Sequence, residues 1–296
     1  MVYLSVQDKH EEGGGIPVVD FEVQVTFLME VVGFLDAAAQ GAGELGAGEE
    51  PRSTQRYVPH SNCAFSLDGA WVWVYRPDAM ADRGPDILVV LRAETGEEVA
   101  RTELDSVGQG AGLALHPDGR HVLLDVGEGQ DGVKLYRAAL TGDDIDLHSY
   151  GWDDRCLVDL SPDGRRFMTV DHGRYDIAFH VFPSGEEVLR LPVEAFGYEY
   201  GVDEACMHWN GGFLSADIAV ITIAGEKDDK EWHCHYSIDL RSGIPLGRFE
   251  AHSRDNYDFE PLGDGTWIVS GPDGSPVHCQ SSMTLGGVQN SAVDCD

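Results

Sequence analysis

The 296-residue sequence predicts an all-β chain of repeated four-stranded antiparallel sheets. Three observations carry this. A turn signal ending in glycine recurs along the chain, the segments between turns are rich in β-branched and aromatic residues, and no helix-period segment separates them.

The first turn signal reads Phe65-Ser-Leu-Asp-Gly69, Leu113-Ala-Leu-His-Pro-Asp-Gly119 and Val158-Asp-Leu-Ser-Pro-Asp-Gly164. Looser copies stand at Met207-His-Trp-Asn-Gly211 and Phe259-Glu-Pro-Leu-Gly-Asp-Gly265. Their final glycines are 50, 45, 47 and 54 residues apart. Proline in the second turn position and glycine in the fourth fit a tight hairpin. A strand-like run follows each copy: Trp71–Tyr75, His121–Val126, Arg166–Val170, Phe213–Ile223 and Thr266–Val269. A third strand then ends at a second glycine turn, Glu94-Thr-Gly96, Leu140-Thr-Gly142, Pro183-Ser-Gly185 or Arg241-Ser-Gly243, and a fourth strand follows. Four strands, two turns and a period in the forties make one propeller blade per repeat.

Ser161-Pro-Asp-Gly164 and His116-Pro-Asp-Gly119 resemble the Pro-Asp-Gly hairpins of WD40-like and TolB-type β-propellers. The likeness covers roughly residues 57–280 as weak repeats, without the Gly-His and Trp-Asp dipeptides of typical WD40 repeats. It implies a toroid with a central channel that serves as a binding platform, and it implies no reaction.

One domain is expected over residues 1–296, with five recognisable blades in 57–296. Residues 1–56 read either as a degenerate first blade, making six, or as an appendage in which Phe27–Ala39 is a short helix. Gly41-Ala-Gly43-Glu-Leu-Gly46 matches a dinucleotide fingerprint by letters but lacks its strand–turn–helix context.

Lys and Arg number 20 against 52 Asp and Glu, a formal net charge of −32. That balance disfavours direct nucleic-acid binding and an anionic membrane surface, both of which need a positive footprint. Cys63, Cys156, Cys206, Cys234, Cys279 and Cys295 show no close pairs, so reduced thiols are expected. The first residues lack a secretory signal and no run approaches the roughly 18 apolar residues of a membrane helix. A cytoplasmic monomer is the expectation.

The strand order puts both glycine turns of each blade on one face and the remaining loops on the other. Those remaining loops are acidic in succession: Asp78, Asp82 and Asp86, then Glu128 and Asp131, then Asp171 and Asp176, with Asp255 further on. Asp153, Asp154, Asp203, Glu204, Glu226, Asp228, Asp229 and Glu231 are the residues expected to form a partner-binding acidic face. Converging charge of one sign steers an oppositely charged partner. The leading function is therefore a non-enzymatic module that binds a basic protein or peptide without a cofactor, in one version as an immunity or antitoxin-like partner of a cationic effector.

The alternative places a divalent-metal-dependent hydrolase or lyase in the channel. Asp159, His208, Asp258 and Glu260 would carry it, around calcium or a similar ion. His233 and His235, on one side of a strand, are the candidate start of a metal site; packing between blades is the competing reading.

Overall fold

The computed structural model describes residues 63–79, 82–152, 154–199, 204–227 and 230–280. They form five antiparallel sheets in chain order. The first holds β1 (Cys63–Phe65), β2 (Trp71–Arg76), β3 (Asp86–Arg92) and β4 (Glu98–Leu104). The second holds β5 (Gly110–Leu115), β6 (His121–Gly127), β7 (Val133–Thr141) and β8 (Asp144–Ser149). The third holds β9 (Arg155–Leu160), β10 (Arg166–Asp171), β11 (Asp176–Val181) and β12 (Glu186–Pro192). The fourth holds β13 (Cys206–Ser215), β14 (Ile218–Lys227), β15 (Lys230–Asp239) and β16 (Ile244–Phe249). The fifth shows three strands, β17 (Glu260–Pro261), β18 (Thr266–Ser270) and β19 (Pro276–Gln280). Within every sheet each strand pairs with the next, so all are simple meanders.

The first strands of successive sheets, β1, β5, β9, β13 and β17, lie beside one another in that order. Each sheet is thus a blade whose first strand is innermost, and the fold is a β-propeller. The degenerate blade or appendage expected in residues 1–56 lies outside the described residues.

Burial explains why the strands read as they do. A middle strand has a neighbouring blade on both faces and carries an unbroken apolar run. In β2 and β10 the four central residues are all buried. Outer strands β4, β12 and β16 have solvent beside them, and exposed residues recur along each. Successive strand residues point to opposite sides. Leu124 therefore packs with Trp73, Tyr75 and Leu88 of the first blade, while its neighbour Leu123 packs with Phe167 of the third. Met168 and Phe179 meet Met207, Phe213 and Ile221 between the third and fourth blades. Leu214, Val220 and Phe249 meet Phe259, Trp267 and Val269 between the fourth and fifth. Burying each such side chain is worth about 1.5–3 kcal/mol, so these seams hold the blades in order.

The predicted turns form as their chemistry requires. Gly119 and Gly164 sit at φ 69° and 68°, and each donates its N–H to the carbonyl three residues back. A type I turn closed by a left-handed residue is what glycine there supplies. The fourth copy is the exception. Met207–Gly211 lies inside β13, where the register with β14 breaks between Met207 and Gly211, and the hairpin instead turns after Ser215. The run Phe213–Ile223 is accordingly two strands and not one. A β-bulge absorbs residues that the sequence pattern had placed in a turn.

Among the described residues, Cys63, Cys156, Cys206, Cys234 and Cys279 are in no disulfide, and Cys295 lies outside them. Among the described residues no helix is long and apolar enough to cross a membrane.

Candidate functional site

The inner carboxylates are structural before anything else. Fully buried Asp86 accepts hydrogen bonds from Tyr75 Oη, Ser106 Oγ and the Gly108 N–H, all at 2.8 Å. Asp125 accepts the Leu157 N–H at 2.7 Å, and Asp159 accepts the Phe213 N–H at 2.7 Å. Each thus satisfies a backbone donor in or just before the innermost strand of a following blade. Burial pushes Asp125 up to about 7 against the pull of the Leu157 N–H. Burial likewise pushes Asp159 up to about 7, opposed by the N–H groups of Phe213 and Leu160 and reinforced by the charge of Glu260. Glu260 itself is pushed up to about 7 by burial.

The four channel candidates separate into two places. Asp159 and Glu260 sense each other at the inner strands. Asp258 instead caps its own loop, taking the Arg254 N–H at 2.9 Å and the Ser270 N–H at 2.6 Å. His208, only 3% exposed, lies in the β13 bulge with Nε2 2.9 Å from Asn256 Nδ2. Its Nδ1 is buried without a partner. Two cavities open at other places, one of 170 Å³ beside Phe179 and Leu189, one of 730 Å³ beside Arg120 and Asp144.

His233 and His235 point the same way and meet at Ser253, whose Oγ lies 3.1 Å and 2.6 Å from their Nε2 atoms. His235 Nδ1 is 2.9 Å from Thr222 Oγ1. Burial lowers His233. Burial also carries His235 down to about 4, helped by His233 and His208, and His208 to about 4, helped by Arg174 and His233. These three imidazoles are neutral at pH 7 and form the polar filling where blade four meets the chain leading into blade five.

The acidic face is narrower than the sequence pattern suggests. Asp154, Glu204, Glu226 and Glu231 are exposed, as are Asp82, Asp131 and Asp255. Asp153, Asp203, Asp228 and Asp229 lie outside the described residues. Several loop carboxylates, however, are used internally. Asp78 holds Arg76 and Arg83 at 2.9 and 3.2 Å, and Asp176 holds Arg155 and Arg190, each at 2.8 Å. Glu128 accepts the Val107 N–H at 2.7 Å, and Asp86 is fully buried. At the β14–β15 tip, Glu226 stands directly opposite Glu231 and Lys227 opposite Lys230. Like charges placed across from each other disfavour the hairpin, so folding energy does not account for this arrangement.

Two aromatic residues absent from the sequence argument stand on this face. Trp209 is 42% exposed and Tyr257 is 62% exposed. The β13 bulge turns Trp209 outward, where the Arg174 guanidinium lies 5.4 Å from its ring centre. Tyr257 packs edge-on against His208 at 4.5 Å. The His172 N–H donates to the Asp154 carbonyl at 2.6 Å, and the His172 ring centre lies 6.4 Å from that of Trp209. Asp255, two residues before Tyr257, caps its N–H at 2.8 Å. The exposed aromatic rings thus sit close to the chain at Asp154 and Asp255, where blades three, four and five meet. Reading Met207–Gly211 as a turn hid this, because a turn residue carries no expectation of display.

No family model matches the chain, and no curated protein matches it. Among solved structures it is similar to hydrazine synthase from Kuenenia stuttgartiensis, with 14% identity over 70% of this chain and 60% of that one, at a TM-score of 0.48. A TolB-like protein from Agrobacterium tumefaciens aligns over 71% of this chain and 68% of its own, with 15% identity and a TM-score of 0.44. The C-terminal WD40 domain of Sif2 aligns over 75% of this chain and 58% of its own, with 13% identity and a TM-score of 0.46. The chain therefore spans about three-fifths of the hydrazine synthase and Sif2 chains.

Proposed function

We propose that this propeller is a non-enzymatic interaction module whose acidic loop face captures a basic protein or peptide. The observation that carries the reading is the exposed pair Trp209 and Tyr257, set beside exposed Asp154 and Asp255. Aromatic side chains held on a scaffold and left open are the residue type that dominates binding energy. A guanidinium already lies against Trp209, so the ring offers the contact that a partner's arginine would use. The hairpin tip with Glu226 and Glu231, and Glu204 next to blade four, would supply the attraction that speeds encounter. A cationic effector neutralised by this chain, in the manner of an immunity or antitoxin partner, is one concrete form. The module acts as a cytoplasmic monomer and makes no direct contact with nucleic acid or membrane.

The test uses a fluorescent synthetic peptide of arginine and glycine and follows association and dissociation by stopped flow. Trp209→Ala and Tyr257→Ala, which leave the charge untouched, should each weaken binding at least 10-fold, mainly by faster dissociation. Glu226→Lys with Glu231→Lys should slow association and flatten its salt dependence. If the aromatic variants bind like the native protein, attraction is only diffuse charge and the reading fails.

A channel hydrolase or lyase is favoured by the burial of Asp159 and Glu260 at the inner strands, which pushes both carboxyls up to about 7, where acid–base work is done. Three of the four candidate residues already have partners that a calcium ion would have to share. Asp159 and Asp258 have both oxygens engaged by backbone N–H groups, and His208 faces Asn256. Stoichiometric calcium in the purified protein, lost with Glu260→Gln, would restore the enzyme reading.

A further inference from the structure

On the opposite face, the glycine turn of the second blade differs from its sisters. In the first and third blades the turn begins with serine, and Ser66 and Ser161 donate to Asp68 and Asp163 at 2.6 and 2.7 Å. In the second blade the same place holds His116, and the residue that opens the next strand is His121. His116 Nδ1 lies 3.0 Å from Asp118 Oδ1, and His121 Nδ1 lies 2.7 Å from Asp118 Oδ2. The three donor atoms all fall within 4.8 Å of one another.

Hydrogen bonds fix how each donor presents itself. His116 Nε2 is 2.7 Å from the Gly164 carbonyl, which can only accept, so Nε2 carries the hydrogen. The Asp118 N–H points at His116 Nδ1 from 3.2 Å, which marks Nδ1 as the lone pair. That lone pair then faces a carboxylate oxygen at 3.0 Å, and only a positive charge between them relieves the repulsion. One added proton on His116 would serve that single contact. The second imidazole converges on the same carboxylate, with His121 Nδ1 at hydrogen-bond distance from its other oxygen.

We propose that His116, Asp118 and His121 bind a divalent transition-metal ion of the zinc class. Two imidazole nitrogens and one carboxylate suit Zn²⁺, whereas Ca²⁺ and Mg²⁺ call for all-oxygen shells. Bonds of about 2.0–2.1 Å in a tetrahedral shell set donors about 3.3 Å apart, so the histidine–carboxylate spacings of 3.0 and 2.7 Å would open slightly on binding. The surroundings already hold the ligands. The imidazole N–H of His116 donates to a backbone carbonyl, the usual second partner of a ligating histidine. The ring stacks on Phe182 at 3.9 Å. Glycine at 164 makes the room, since a Cβ there would lie 2.7 Å from His116 Cε1. Asp118 is fixed by the N–H groups of Arg120 and His121 at 2.8 and 3.0 Å. Because His116 also bonds Gly164 and stacks on Phe182, both of the third blade, the ion would fix a blade-two side chain against blade three on the glycine-turn face.

The test is calorimetric titration of untagged, chelator-stripped full-length protein with Zn²⁺ and, in parallel, Ca²⁺. His116→Ser and His121→Arg install the residues that the third blade's turn already uses at Ser161 and Arg166, so the turn should survive. The native chain should take one Zn²⁺ in a step that each variant weakens at least 100-fold, and Zn²⁺ should raise the native Tm only. Ca²⁺ should give no such step. If neither native step nor Tm shift occurs, or if both persist in the two variants, the site does not exist. Should His116→Ser lose its circular dichroism signature, His121→Arg and Asp118→Asn decide the matter.

Discussion

Carboxylates at the seams between blades and carboxylates on the loop face have the same chemistry and opposite roles. Asp86, Asp125 and Asp159 are enclosed and receive backbone N–H groups from the following blade. Asp154, Glu204, Glu226 and Glu231 are exposed. Enclosure turns an acid into a structural acceptor, and in Asp125 and Asp159 burial raises the carboxyl to about 7, while exposure leaves a field-producing charge. Net charge alone therefore overstates the binding face, because part of the charge belongs to the scaffold.

The sharpest break in that comparison comes from the seam. Asp86→Ala should destabilise the protein by about 3–5 kcal/mol in urea unfolding, since Tyr75, Ser106 and Gly108 each lose their acceptor in a water-free place. A loss under 1 kcal/mol would mean that Asp86 is not a staple.

Acidity provides the next test. The folded carboxyls of Asp125 and Asp159, at about 7, lie above the unfolded value near 3.9, so their contribution is full at low pH and is lost as pH rises through 7. The Asp125→Asn, Asp159→Asn double variant should therefore gain on the native protein between pH 5 and 8, by about 1 kcal/mol or more per site. His180, His208 and His235, folded values about 4, act in the other direction. Their contribution is lost as pH falls from about 6.5 to 4, and comparing the two proteins cancels it. A difference that is flat with pH would contradict the buried-acid assignment.

The smallest effect belongs to the loop face. Asp154→Lys, Glu204→Lys, Glu226→Lys and Glu231→Lys should each change stability by no more than about 0.5 kcal/mol. Self-repulsion is screened over about 8 Å at physiological ionic strength, so the native Tm should rise from low to physiological salt and the fourfold variant should rise less. Equal rises would show that these residues add nothing to the field.

Taken by itself, the sequence determined the repeat, the all-β class and the two turns per blade. These rest on local chemistry: Asp-Gly turns with φ near 68° at Gly69, Gly119 and Gly164, and apolar runs such as Trp71–Tyr75 for strands covered on both faces. It also placed His233 and His235 on one side of β15, because alternation is local too. What tertiary structure alone decided is which chemically similar side chains are free. Asp176 and Asp154 read alike as loop acids, and only the packed arginines of β9 and β12 show that Asp176 is occupied. Likewise the β13 bulge, which turns Trp209 out and His208 in, depends on pairing with β14 and on the room left by blade five. The His116–Asp118–His121 cluster was in view as His-x-Asp-x-x-His, but the same letters serve as an ordinary hairpin. Its meaning rests on the Gly164 carbonyl and the Phe182 ring, which reach it from another blade.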